Sequence, residues 1–239
     1  MTSPMLAWHE TLPSTIDEAH HRAAAGAPHG FGVAARRQTA GRGTRGRPWE
    51  SSAGGLWLSV IARHSGSGPM ETMSLRIGLA VAECIERLLK PGSQAIAIKW
   101  PNDLMAGGKK LAGILCDARW QGDRLSWIIA SVGLNVRNPI PLALTGRATR
   151  LADLGVGLGA EDLAEPIREA VAGAAAWTDA LAEDQLAALR NRDWLRGRAL
   201  LEPEPGIADG ISETGRLRVR RRDGTVTAVL GSVHLAEQG

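Results

Sequence analysis

The chain has 239 residues, 44% of them apolar, which suits one domain of moderate size or one such domain with a small module. Its formal net charge is only +3, and its many arginines are spread along the chain, a pattern of solvated surface that argues against a nucleic-acid footprint. There is no basic-then-apolar N-terminal signal pattern and no apolar run of about 18 residues, so the expectation is a soluble, cytoplasmic protein with no membrane segment.

In chain order, Ser14-Thr15-Ile16-Asp17-Glu18 opens a helix, with Thr15 and Glu18 at the spacing of a capping box. Residues 31–38 read as a strand, a glycine–arginine loop follows, and residues 56–62 form a second strand. Residues 73–89 carry Leu75, Leu79, Ala82, Ile85 and Leu89 on one helical face, and Pro91-Gly92 stops that helix. Residues 95–100 are a short strand broken by Pro101, and 111–118 pairs with 126–133 around the turn Gln121-Gly122-Asp123. After a loop over 139–146, helices are expected from about Asp162 to Leu181 and from about Glu183 to Leu195. Then Pro203, Pro205, Gly210, Gly215, Gly224 and Gly231 punctuate short alternating stretches. That change of character predicts two units, 1–194 and a small β-barrel-like module over 195–239.

Cys84 and Cys116 are expected to be buried free thiols in a reducing compartment. The histidines, His64 among them, show no ligand spacing, so no structural metal site is expected.

Four segments carry chemistry. In the first, Gly41, Gly43 and Gly46 match the dinucleotide pattern G-x-G-x-x-G. That pattern works only where a helix opens on the last glycine, and here Arg47-Pro48-Trp49 leads through more loop into a strand. The run is therefore either an arginine-rich surface loop or a mobile anion-binding lid bearing Arg42, Arg45 and Arg47. In the second, Lys99-Trp100-Pro101-Asn102-Asp103-Leu104 sets a cation, a carboxamide and a carboxylate at a strand end. Asn102-Asp103 is a turn or a site where Asp103 meets Mg²⁺ or nucleotide and Lys99 or Asn102 meets phosphate. In the third, Lys110 precedes Leu111-Ala112-Gly113 at the mouth of a strand, without the glycine and hydroxyl spacing of a Walker A loop. In the fourth, Asn135 ends a buried strand after Gly133-Leu134, to cap or turn the backbone or to hold a nucleotide or its metal.

Taken together and in this order, these segments resemble the catalytic domain of biotin–protein ligases, from about Thr11 to the C-terminus. The resemblance implies a mixed, largely antiparallel sheet flanked by helices, like class II aminoacyl-tRNA synthetases and lipoate ligases, closed by an SH3-like module. It implies a biotin site of Ser14, Thr15, Ile16, Gln38, Gly41, Arg42, Gly43, Thr44, Lys110 and Gly113. It implies an ATP site of Arg42, Arg45, Arg47, Trp49, Lys99, Asn102, Asp103, Lys110 and Asn135, with Mg²⁺ on Asp103. Lys110, Arg42 and Arg45 are the implied catalytic residues. ATP and biotin would be substrates, and the partner would be the biotin carboxyl carrier domain of acetyl-CoA carboxylase or of a related biotin-dependent carboxylase. An exposed sheet edge is expected to pair with that carrier or, as a homodimer, with a second copy of the chain.

The residues suit such chemistry on their own terms. A carboxylate attacking the α-phosphorus of ATP brings two anions together, which calls for cations and positioning more than for a protein nucleophile, and no nucleophile motif is present. Two departures stand out. Thr44 occupies a loop position where several relatives have arginine, so a looser hold on the adenylate is expected. Ile16 replaces the asparagine that often follows Ser-Thr, leaving only its backbone for ligand contact. With no DNA-binding segment ahead of residue 14, operator binding is not expected. A lipoate- or octanoate-handling relative on the same scaffold, and a non-catalytic nucleotide- or nucleic-acid-binding module, are the competing readings.

Overall fold

The computed structural model describes residues 4–63, 71–92, 95–176 and 180–235. The first part of the chain alternates strands and helices: β1 (Leu6–Leu12), α1 (Thr15–Ala24), β2 (Gly32–Gln38), β3 (Leu56–Ala62) and α2 (Glu71–Glu86). Four more strands complete the main sheet: β4 (Ala97–Lys99), β5 (Asp103–Ala106), β6 (Lys109–Gln121) and β7 (Arg124–Leu134). Then come α3 (Ala160–Ala174) and α4 (Glu183–Arg192). The chain ends in β8 (Ala199–Glu202), β9 (Gly206–Ile211), β10 (Leu217–Arg220), β11 (Val226–Val229) and β12 (His234–Leu235).

The main sheet runs β1-β2-β3-β7-β6-β5-β4, and β1–β2 is its parallel pair, joined by the crossover helix α1. The other neighbours are antiparallel, so the expected mixed, largely antiparallel sheet with flanking helices is present. Every residue of β3 is buried because helices cover both faces of the sheet there. On one face, Ile16, Ala19 and Ala23 of α1 pack on Val33, Ile61 and Ile129. On the other, Met73, Ile77, Val81 and Ile85 of α2 share a core with Leu58, Val60, Ile114, Val132 and Ile167. Each buried Val, Leu, Ile or Met side chain among these contributes about 1.5–3 kcal/mol.

The C-terminal strands form a second, antiparallel sheet in the order β11-β10-β9-β8-β12. Among the described residues β11 and β12 are its edges and do not pair, so no closed barrel forms. Ala208, Ile211, Leu217 and Val219 belong to the same core cluster as the main sheet. The buried Trp100 indole ties the two sheets together, its Nε1 donating to the Gly215 carbonyl at 2.9 Å.

Several expectations need correction. The cap of α1 is Ser14, whose hydroxyl accepts from Ile16 N–H at 3.3 Å; Thr15 is the first helical residue and its hydroxyl serves elsewhere. Strands β1 and β5 were not expected. β1 is a half-exposed edge strand of mixed polarity, and β5 is four residues following the Pro101-Asn102 turn, so neither carries a clear period. The helix predicted over 73–89 starts at Glu71 and ends at Glu86, and that predicted over 162–181 ends at Ala174. Residues 177–179 of the latter, like His64, lie outside the described residues. The last predicted helix stops at Arg192 because Trp194 N–H turns to the Ile98 carbonyl, 3.0 Å away, at the edge of β4. Cys84 is buried as expected, whereas Cys116 is only partly buried, within β6. Burial and the neighbouring Asp117 push its thiol up to about 12.

Candidate active site

A cavity of about 760 Å³ opens on the α1 face of the main sheet. Its floor is set by strand register. Gly113 and Gly133 are cross-strand partners on β6 and β7, and Ser59 and Ser131 are partners on β3 and β7. Since side chains alternate, Ser131 and Gly133 share a face. A Cβ on Gly133 would stand 2.7 Å from Trp49 Nε1, and one on Gly113 would stand 3.1 Å from the same ring. The glycines thus form a flat bed on which the Trp49 indole lies. Its Nε1 is buried against that bed with no hydrogen-bond partner.

Trp49 belongs to the glycine–arginine loop, which folds back on itself. Gly43 N–H donates to the Arg47 carbonyl at 2.7 Å, and Trp49 N–H donates to the Gly41 carbonyl at 2.9 Å. A side chain on Gly41 would collide with the Trp49 carbonyl, so this glycine permits the return of the loop. Arg45 adopts φ 60°, ψ 29°, a left-handed conformation costing about 1 kcal/mol or more in a residue with a side chain. Gly43, Thr44, Arg45, Arg47 and Trp49 line the cavity. Arg42 lines it too, but its guanidinium is gripped by Asp17 of α1 at 2.6 and 3.0 Å, and this pairing raises its pKa.

At one end of the cavity, Gln38 Oε1 accepts from both the backbone N–H of Thr15 (2.8 Å) and the Thr15 hydroxyl (3.1 Å). Gln38 Nε2 donates to Ser51 Oγ at 2.8 Å. Ile16 lines the same end, whereas Ser14, buried in its capping role, does not line the cavity, and neither does Gly41.

At the other end sit the cations. Lys110 Nζ lies 2.6 Å from Asp103 Oδ1 and 4.8 Å from the centroid of the Trp49 ring. Lys99 Nζ stands 5.3 Å over the Trp194 ring. Burial chiefly lowers the Lys99 pKa, aided by the like charges of Lys110, Arg147 and Arg198 and opposed by Asp103. Such a group gains when a polyanion arrives. Asn102 Nδ2 donates to the Ile114 carbonyl at 2.6 Å, and Asn135 Nδ2 to the Thr149 carbonyl at 3.1 Å, so both amides brace the backbone of the cavity wall. The Asp103 carboxylate is already paired with Lys110. Among the described residues no three His, Cys, Asp or Glu side chains cluster to hold an ion. A resident metal centre does not fit these side chains; a magnesium ion would come bound to nucleotide phosphates.

Several wall residues escaped sequence reasoning. Ser59 sits beneath the floor and Ser131 lines it; their signal was a hydroxyl set within an apolar run of each strand. Arg147 and Trp194 also line the cavity, as do Gly231, Ser232 and Val233 of the C-terminal module, and none of these lies in a motif. The arrangement combines a polar recess, a flat aromatic-capped trough and a cationic end beside the glycine–arginine loop. That suits a ligand with a polar head, an apolar middle and a carboxylate presented to a phosphate.

A family model described as the biotin/lipoate A/B protein ligase family matches residues 8–135. The bifunctional ligase/repressor BirA of Bacillus subtilis is 36% identical over 151 residues, covering 62% of this chain and 46% of that protein. The chain thus spans less than half the length of that relative. The biotin--[acetyl-CoA-carboxylase] ligase of Mycobacterium tuberculosis is 33% identical over 225 residues, covering 89% of this chain and 82% of that protein. The structure of biotin protein ligase from Aquifex aeolicus in complex with biotin and ATP superposes with a TM-score of 0.81 at 23% identity, covering 97% of this chain and 99% of that one. That likeness concerns the fold, while the family-model match spans the loop, Lys99–Asp103 and Asn135. The chain belongs to the biotin/lipoate A/B protein ligase family.

Proposed function

We propose that this protein is a biotin–protein ligase, which activates biotin with ATP to biotinyl-5′-AMP and transfers biotin to a lysine of a biotin carboxyl carrier domain. One observation carries the reading: a single cavity joins the Thr15–Gln38 polar recess, the Trp49-capped glycine trough and the Lys110–Lys99 cations in the order of a biotin molecule followed by a triphosphate. The relatives named above support biotin over lipoate.

In the first step the biotin carboxylate attacks the α-phosphorus, and the bond to the β-phosphate oxygen breaks to release pyrophosphate. Lys110 lies between carboxylate and α-phosphate and holds two anions at reacting distance. Lys99 and Arg147 take up the charge that develops on the leaving group. Asp103 would be a carboxylate near a Mg²⁺ ion carried by ATP, which would offset phosphate charge. Arg42, Arg45 and Arg47 close over the product, a mixed anhydride that water would hydrolyse. In the second step the carrier lysine attacks the activated carbonyl. A C–N bond forms, the C–O bond to AMP breaks, and the amine loses a proton.

We place the division between the two units at residue 195, with the second contributing one wall of the cavity. The unpaired edge of β1 offers a place for the carrier domain or, in a homodimer, for a second copy. Among the described residues no helix is long and apolar enough to cross a membrane, and the cytoplasm is the proposed location. The test supplies ATP, a carrier domain and either biotin or lipoate, and follows pyrophosphate release and carrier mass. Pyrophosphate and a mass increase are expected with biotin. Their absence with biotin overturns the reading.

A further inference from the structure

Six polar groups are linked end to end between the floor of the cavity and the lid. Ser131 Oγ lies 2.8 Å from Ser59 Oγ, which lies 2.8 Å from Thr15 Oγ1, which lies 3.1 Å from Gln38 Oε1. Gln38 Nε2 donates onward to Ser51 Oγ at 2.8 Å, and Ser51 Oγ donates to the Trp49 carbonyl at 3.0 Å.

One backbone donor sets the direction of the whole chain. Thr15 N–H can only donate, and its acceptor is Gln38 Oε1, which fixes how the Gln38 amide is turned. A carboxamide oxygen only accepts, so the Thr15 hydroxyl directs its single proton to Gln38. Thr15 Oγ1 must then accept from Ser59, and by the same argument Ser59 must accept from Ser131. The proton of Ser131 therefore points into the floor. Ser131 is buried, yet it lines the cavity, and what it offers there is lone pairs alone.

We infer that Ser131 is a specificity-determining residue that accepts a hydrogen bond from a ring N–H of the ligand, and that Ser59 is the positioning residue that makes it an obligate acceptor. The inference rests on the biotin reading and deepens it. A cyclic urea carries N–H donors on its ring. A dithiolane ring or a plain alkyl chain carries none, and would leave the buried lone pairs of Ser131 unpaired and desolvated. A site built around a buried polar partner rejects an analogue lacking the matching group far more strongly than an apolar pocket rejects one of wrong size.

The test measures pyrophosphate release by the full chain with ATP and either biotin or two cyclic-carbamate analogues, in each of which a ring oxygen replaces one urea N–H. In the unmodified protein, one analogue should show a KM about tenfold or more above that of biotin, the loss of one buried hydrogen bond. Ser131→Ala should raise the biotin KM about tenfold, with kcat and the ATP KM within about twofold, and should erase discrimination against that analogue. Ser131→Thr, which keeps the hydroxyl, should preserve discrimination. Ser59→Ala, which frees the Ser131 proton to turn toward the cavity, should narrow it with Ser131 intact, an effect that a purely structural role would not give. An unchanged biotin KM and unchanged discrimination in Ser131→Ala overturn this inference and leave biotin activation standing. No pyrophosphate from the unmodified protein with biotin overturns both.

Discussion

Lys110 Nζ lies 2.6 Å from Asp103 Oδ1, bridging the antiparallel strands β5 and β6, while the same ammonium stands 4.8 Å over the Trp49 ring. One cation therefore touches both the start of β5 and the glycine–arginine loop. An incoming carboxylate or phosphate must compete with Asp103 for it. Lys110→Ala should lower kcat for pyrophosphate release by about 10²-fold or more, and Lys110→Arg should recover part of that loss. Initial rates at saturating ATP and biotin check this; an undiminished kcat in the alanine variant would remove Lys110 from the reaction.

The glycine bed can be tested without touching a charge. In Gly133→Ala the new methyl carbon would stand 2.7 Å from Trp49 Nε1, closer than real contacts allow, so the indole must lift from the floor. The biotin KM should rise by about tenfold, as expected for loss of a well-packed apolar contact of about 1.4 kcal/mol. The melting temperature should barely move, because the half-buried ring belongs to the lid and not to the core.

Arg42 and Asp17 are both substantially exposed, so their ion pair adds at most about 1 kcal/mol to stability. Its larger effect is on charge: Asp17 neutralises one of the loop arginines. Asp17→Asn should leave the melting temperature nearly unchanged and lower the ATP KM by about two- to fivefold at low salt. That gain should fade at about 0.5 M salt, where screening is strong. An ATP KM independent of residue 17 at low salt would show that Arg42 does not meet the nucleotide.

For Lys99, burial chiefly and its cationic neighbours secondarily lower the folded-state pKa below 10.5. Between the folded and unfolded values the unfolded chain binds more protons, so stability from this group rises with pH through that window. At neutral pH the penalty is fully present. Lys99→Met should therefore raise the melting temperature at pH 7, the gain should shrink as pH approaches 10.5, and the ATP KM should increase. Melting curves at several pH values, paired with ATP titrations, check both halves. A variant less stable than the parent at pH 7 would contradict the sign.

The parts legible in the chain are those whose signal is local. The run 56–62 announced β3 because a strand covered on both faces is apolar throughout. Gly122 marked the β6–β7 hairpin because its turn takes φ 59°, where glycine is at ease. β1 was illegible because an edge strand of mixed polarity has no period, and its parallel partner lies beyond a whole helix. The cap of α1 was misassigned by one residue because Ser14 and Thr15 are equally able to cap; only the meeting of Thr15 with Gln38 and Ser59 decides between them.

The sequence by itself determined the chemical inventory: a glycine–arginine loop without a following helix, lysines at two strand ends, no nucleophile motif and a change of character near residue 195. Those are properties of residue type and short spacing, which the local chain encodes directly. Only the tertiary structure decided what meets what. Gly113 faces Gly133 and Ser59 faces Ser131 because of strand register, and a slip of one residue would turn every one of them to the other face. Trp49 reaches the glycine bed, and Arg42 reaches Asp17, because the loop folds back through its own hydrogen bonds. Register and loop closure depend on the packing of the whole core, and for that reason the polarity of the Ser131–Gln38 chain was invisible until the strands were side by side.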